Sequence, residues 1–178
     1  MKWCTLFSQT GSEIYQISER LGRYPDMIIC NKQDNFKTIN QNLIGKAPII
    51  FTDKKPTTEQ YLHYLPADAL ITMHGWLRIV PGEVCDNRTI YNGHPGLITE
   101  WPELKGKDPQ ERAFYSRHET AGCVIHEAVA EVDAGEILKE GSVDIKGLTL
   151  DKVYSTLHEV SVNLWVEFLE EKFNAVPQ

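Results

Sequence analysis

The 178 residues are enough for one domain with its own core, and 42% hydrophobic with 24% charged residues is ordinary for a globular protein. A formal charge of -7, with lysines and arginines scattered rather than grouped, argues against general affinity for nucleic acid, and no stretch is apolar for long enough to cross a bilayer. Cys4, Cys30, Cys85 and Cys123 lie far apart without a Cys-x-x-Cys, so neither a zinc knuckle nor a disulfide framework is expected and a reducing, cytoplasmic setting fits better.

The chain opens on Trp3 to Phe7, an apolar run that meets polar residues too soon for a secretory signal and reads as a first strand. The turn Ser8-Gln9-Thr10-Gly11-Ser12 follows and leads into a helix over Glu13 to Leu21. In a doubly wound fold such a turn offers free backbone N–H groups and the positive end of a helix dipole, where phosphates bind. It lacks the glycine spacing of a dinucleotide fingerprint and the lysine of a Walker loop, which disfavours NAD and ATP. A plain strand-to-helix turn capped by Ser12 accounts for it equally well. Strands are expected at Asp26 to Cys30, Pro48 to Phe51 and Ala69 to Met73, with a helix at Thr58 to Tyr64, while Asn31 to Lys46 is polar and without a clear period. The early strands are continuously apolar, as strands buried on both faces should be. This alternation predicts an α/β fold in a single domain over 1–178: Rossmann-like, mostly parallel, with helices on both faces.

Further along, Thr89 to Asn92 reads as a strand that runs into Tyr91-Asn92-Gly93-His94-Pro95-Gly96. Alternation puts Asn92 and His94 on one face, so an amide and an imidazole project together at a strand end. An imidazole suits proton transfer and an amide N–H suits a developing oxyanion, although loop hydrogen bonding alone explains such a pair as readily. A strand at Gly122 to His126 precedes Asp133-Ala134-Gly135, a turn whose carboxylate stands where it can orient an imidazole from another strand. No His-x-x-x-His and no second carboxylate spacing supports a metal at His94, His126 and Asp133, so none is expected. After a seventh strand at Glu136 to Val143, the clearest helix runs from Thr149 to Phe173, with Val153, Leu157, Val160, Leu164 and Phe168 forming a stripe and Thr149 as N-cap.

Together these segments resemble the folate-dependent formyltransferase family, in which Asn-x-His-Pro ends a strand and a later His is followed seven positions on by Asp-x-Gly. Here these are Asn92-Gly93-His94-Pro95, then His126 and Asp133-Ala134-Gly135. The stretch Gly75-Trp76-Leu77-Arg78-Ile79-Val80 is similar to the family's Gly-Phe-Met-Arg-Ile-Leu segment. Ser8 to Ile14 and Ile29-Cys30-Asn31-Lys32 are similar to the glycinamide ribonucleotide branch, and His94-Pro95-Gly96 with Ile125-His126-Glu127 is similar to the sugar-nucleotide branch. The resemblance implies formyl transfer from 10-formyltetrahydrofolate to an amine, that of glycinamide ribonucleotide first and of an amino-sugar nucleotide second, without a metal. A shortened member that binds folate or a nucleotide without reacting is the remaining reading.

By the same resemblance Asn92 and protonated His94 stabilise the oxyanion of a tetrahedral intermediate, while Asp133 positions His94 and helps to move the amine's proton. Trp76, Leu77, Arg78, Ile79 and Val80 line the folate site, and Ala130, Glu131 and Val132 hold the pterin by backbone contacts. Gly11, Ser12 and Glu13 hold the acceptor's phosphate through N–H groups, the Glu13 side chain pointing away. An acidic helix residue that touches the acceptor in the purine branch aligns with Ser161, which leaves the acceptor open. Expected partners are small molecules alone, with no nucleic acid and no membrane, for a monomer or homodimer.

Overall fold

A computed structural model describes residues 1–33 and 36–175. Asp34, Asn35 and Val176 to Gln178, part of the expected 1–178 domain, lie outside the described residues. The strands are β1 Trp3–Phe7, β2 Met27–Cys30, β3 Ile49–Phe51, β4 Leu70–Met73, β5 Ile90–His94, β6 Thr120–Glu127 and β7 Ile137–Asp144. They form one 7-stranded sheet in the order β3-β2-β1-β4-β5-β6-β7. The pairs from β3 to β5 are parallel, and β6 and β7 join antiparallel.

Parallel neighbours need crossover connections, which the chain supplies with α1 Ser12–Leu21, α2 Thr58–Tyr64 and α3 Gly82–Asn87. β1, an inner strand beside the central β4, is buried at all of its 5 residues, which explains its unbroken apolar sequence. Its pleat sends Trp3 to a cluster with α1 and the C-terminal helix, and Cys4 and Leu6 to a cluster with Tyr61 and Leu65 near α2 and Val84 of α3. Both faces are therefore covered, and the site can open only along the strand ends.

The C-terminal helix, α5 Leu150–Asn174, begins where Thr149 accepts a hydrogen bond from the Lys152 N–H. Its buried residues include Val153, Leu157, Leu164 and Phe168 of the expected stripe together with Val162, Trp165 and Leu169. The stripe is wider than expected because α5 packs against α1 and α4 as well as the sheet. Three short elements were not foreseen: α3, the 3₁₀ turn Pro102–Leu104 and α4 Pro109–Tyr115, of 6, 3 and 7 residues. Elements this short offer too few turns for a period to show. Within the unassigned stretch, residues 36–46 form turns that deliver Ile39 and Leu43 to the core beside Phe7 and Ile14.

Candidate active site

β5 runs two residues past the expected end at Asn92, so Asn92 and His94 both lie on the strand. In the antiparallel register with β6, Asn92 stands opposite His126. Directly paired residues share a face, so Asn92, His94 and His126 project together. An irregularity of the β6–β7 register between Ile125 and His126 lies at the same spot, where bulges commonly re-aim a side chain.

Asp133 reaches this face from the turn after β6. Its backbone is left-handed, with φ of 55°, a conformation that Asp adopts more readily than most residues. Two residues on, a Cβ at Gly135 would lie 1.6 Å from the Glu127 carbonyl oxygen, so only glycine lets the turn fold back onto β6. The buried carboxylate has a partner on every side. Its Oδ2 accepts from the Gly106 N–H at 2.8 Å and lies 3.5 Å from His94 Nδ1, while Oδ1 lies 3.2 Å from His126 Nε2. The last two contacts are ion-pair distances; the His126 approach is too oblique to be a hydrogen bond. Burial raises the Asp133 pKa, but His126, the His94 charge and the Gly106 N–H outweigh it, leaving the carboxyl below its usual range and ionised.

His94 is buried, and its Nε2 lies 2.8 Å from the Leu104 carbonyl oxygen, which requires a proton on that nitrogen. Burial holds its pKa below the ordinary value, although Asp133 and the Leu104 carbonyl pull the other way. A neutral ring held this way carries its proton on Nε2 and turns the Nδ1 lone pair toward Asp133. The Asn92 amide is half-buried and makes no hydrogen bond to the described residues. Covering the centre is the strap 103–107, whose carbonyls at Glu103, Leu104, Lys105 and Lys107 all accept from Arg112.

The remaining predicted residues divide. Trp76 and Val80 are core, Trp76 donating to the Tyr61 hydroxyl, whereas Leu77 and Ile79 stand 64% and 69% exposed. Arg78 is tied to the Lys54 carbonyl. Ala130, Glu131 and Val132 are exposed, and a Cβ on Gly82 would touch Ala130, so the two predicted folate segments meet beside α3. Gly11 is the N-cap of α1 without a side-chain cap, but Leu43 packs over it and Asn40 donates to the Ser12 hydroxyl. Glu13 turns its carboxylate inward to His74. This centre lies apart from Gly11–Glu13, which sit at the end of β1.

His126 is the partner that the sequence marked only by spacing: its contact with Asp133 depends on a register that the folded sheet alone supplies. His74, a lone histidine after β4, carried no signal. Two open depressions, of about 430 and 490 Å³, lie beside Leu97, Thr99 and Glu140 and beside Phe114 and His118, and neither is lined by the Asp133 centre. Among the described residues no group of three or more His, Cys, Asp or Glu is disposed to hold a metal ion, and no helix is long and apolar enough to cross a membrane.

A family model described as Formyl transferase matches residues 27–169, a span holding the whole Asp133 centre. A methionyl-tRNA formyltransferase of Thermotoga neapolitana is 31% identical over 118 residues, which are 65% of this chain and 36% of that protein. A phosphoribosylglycinamide formyltransferase of Dictyostelium discoideum is 32% identical over 113 residues, covering 57% of this chain and 53% of the relative. The chain thus spans only about a third to a half of the length of these relatives. The solved phosphoribosylglycinamide formyltransferase of Campylobacter jejuni subsp. jejuni superposes with a TM-score of 0.81 at 23% identity, over 97% of both chains, and so shares the fold. With the family match covering β2 to β7 and most of α5, the chain belongs to the formyl transferase family.

Proposed function

We propose that the chain moves a formyl group from 10-formyltetrahydrofolate to a primary amine at Asn92, His94 and Asp133. One observation carries this reading: an ionised carboxylate buried between two imidazoles, beside a free amide, at the end of a sheet strand. The surroundings fit a folate. Leu77 and Ile79 on one segment and Val129 and Val132 on the other are large apolar side chains left open to solvent, as the walls of a site for a flat ring system would be.

When bound, the folate supplies the formyl carbon. The chain's own groups supply the electrostatics. His94 Nε2–H and the Asn92 amide donate to the negative charge that develops on the transferred carbonyl oxygen. The Leu104 carbonyl now accepts from Nε2–H, and so stands in for that oxygen; the strap must give way when substrate binds. Asp133 holds the orientation of His94 and offsets the charge of that ring whenever it is protonated. It is also the carboxylate through which the amine's proton passes to the departing folate nitrogen, so that the C–N bond formed to the amine replaces the C–N bond broken in the folate.

Glycinamide ribonucleotide is the first acceptor, since α1 begins without a side-chain cap and the Glu13 carboxylate is turned away from the turn toward His74. An amino-sugar nucleotide is the second, favoured by the hold of Asn40 and Leu43 on the same turn, which narrows the room for a phosphate. The test is to incubate the protein with 10-formyltetrahydrofolate and each amine, or none, and to identify formylated products by mass spectrometry. A formylated amine is expected. Folate binding with no formyl loss to any amine or to water would leave a binding protein instead.

A further inference from the structure

Behind β5, on the face opposite Asp133, lies a second set of buried polar groups for which the reaction has no direct use. Glu13, in the first turn of α1, places Oε1 3.0 Å from His74 Nδ1. His74 Nε2 lies 2.8 Å from the Thr72 hydroxyl, which also accepts from Trp3 Nε1 at 2.9 Å. The His74 side chain is fully buried, and its ring packs on the indole of Trp165 with centroids 4.5 Å apart.

Trp165 is itself fully buried, and its Nε1–H has no hydrogen-bond partner. A buried donor left unpaired is costly, so close packing must hold the ring there. What it packs on is the strand that carries the reacting groups. A Cβ added at Gly93 would come 2.7 Å from Trp165 Nε1 and 3.2 Å from Cε2 and Cζ2. The indole therefore fills the space of a side chain at the one residue between Asn92 and His94, and the absence of that side chain is what admits it.

We infer that Glu13, His74 and Trp165 are positioning residues: a brace that fixes β5 from behind and ties Asn92 and His94 to the α1 turn. Each link is a distinct contact. Glu13 anchors the imidazole, the imidazole fixes the indole, and the indole sets the height of the Gly93 backbone. Displacing that backbone shifts both donors at once relative to the formyl oxygen, whereas the folate walls at Leu77, Ile79 and Val132 lie on other segments. The inference rests on the formyl-transfer reading for its kinetic readout but not for its structural one.

The experiment inserts a methyl group between indole and strand. Gly93→Ala should lower kcat by about tenfold or more while KM for the folate and for the amine stays within about twofold, because a shift of even 1 Å at the reacting atoms is costly. Adding Trp165→Phe, which replaces the indole by a smaller ring with no N–H, should recover most of the loss. The His94 ring signals in nitrogen-15 NMR, read without substrate, should move in Gly93→Ala and return in the double variant. Should Gly93→Ala fail to fold, His74→Gln keeps a donor for Glu13 but loses the ring packed on Trp165, and should lower kcat and displace the same signals.

Wild-type kcat and unmoved His94 signals in the folded variant would overturn the brace, and so would a double variant as slow as Gly93→Ala. If the unaltered protein transfers no formyl group to any amine, the formyl-transfer reading fails. The His94 signals then decide the brace alone.

Discussion

Asp133 is an ionised carboxylate that Gly106, His94 and His126 jointly surround, and His94 carries the donor beside it. His94→Ala removes the Nε2–H donor and should lower turnover by about a hundredfold or more, as read by single-turnover kinetics. Asp133→Asn keeps the left-handed backbone, which Asn tolerates as well as Asp, but removes the charge; a comparable loss is expected, with the thermal midpoint reporting that the protein still folds. The pH dependence of stability follows from the same two groups. Both folded-state values lie below the ordinary ones. The contribution of Asp133 is thus present above its unfolded value of about 3.9, and that of neutral His94 above about 6.5, each being lost as pH falls through the lower folded value. Thermal midpoints should fall as pH drops from about 7.5 to 5, and His94→Gln should flatten that part of the curve. An unchanged slope would remove His94 as its source.

The elements legible in the sequence are those with a strong period or an unbroken apolar run. β1, α2 and the span of α5 stand within a residue or so of where the pattern puts them, because burial on both faces and a long stripe leave a plain trace. β5 extends two residues past its expected end because Gly93, a poor strand former, is there for Trp165, which lies far away in the chain. The strap 103–107 had no trace, since it is held by one side chain rather than by periodicity. Arg112 bonds its carbonyls and so keeps Leu104 over His94 and Gly106 on Asp133. Arg112→Ala should release the strap, and hydrogen exchange at the Gly106 amide should quicken well beyond that of the β5 amides. Equal protection with and without Arg112 would show that something else holds the strap.

At the scale of the molecule, the parallel strands bring β1, β4 and β5 side by side with their carboxyl ends on one edge, and β6 and β7 then turn back antiparallel. That reversal sets His126 opposite Asn92, which no reading of the strands in isolation could have placed. α5 closes the opposite face through Leu157, Trp165 and Phe168. Leu157 lies among this cluster and away from the reacting face, so Leu157→Ala should cost about 2–5 kcal/mol of stability in a urea titration. The rate per folded molecule should stay unchanged.

Single-turnover kinetics decides whether formyl transfer occurs at the Asp133 centre. Excess protein is mixed with labelled 10-formyltetrahydrofolate and the amine it formylates, comparing the natural chain with His94→Ala and Asp133→Asn. Transfer by the natural chain is expected, with a loss of about a hundredfold or more in both variants, each still folded. Transfer at the natural rate by folded His94→Ala would rule out this centre, and so would a natural chain that binds the folate and keeps its formyl group.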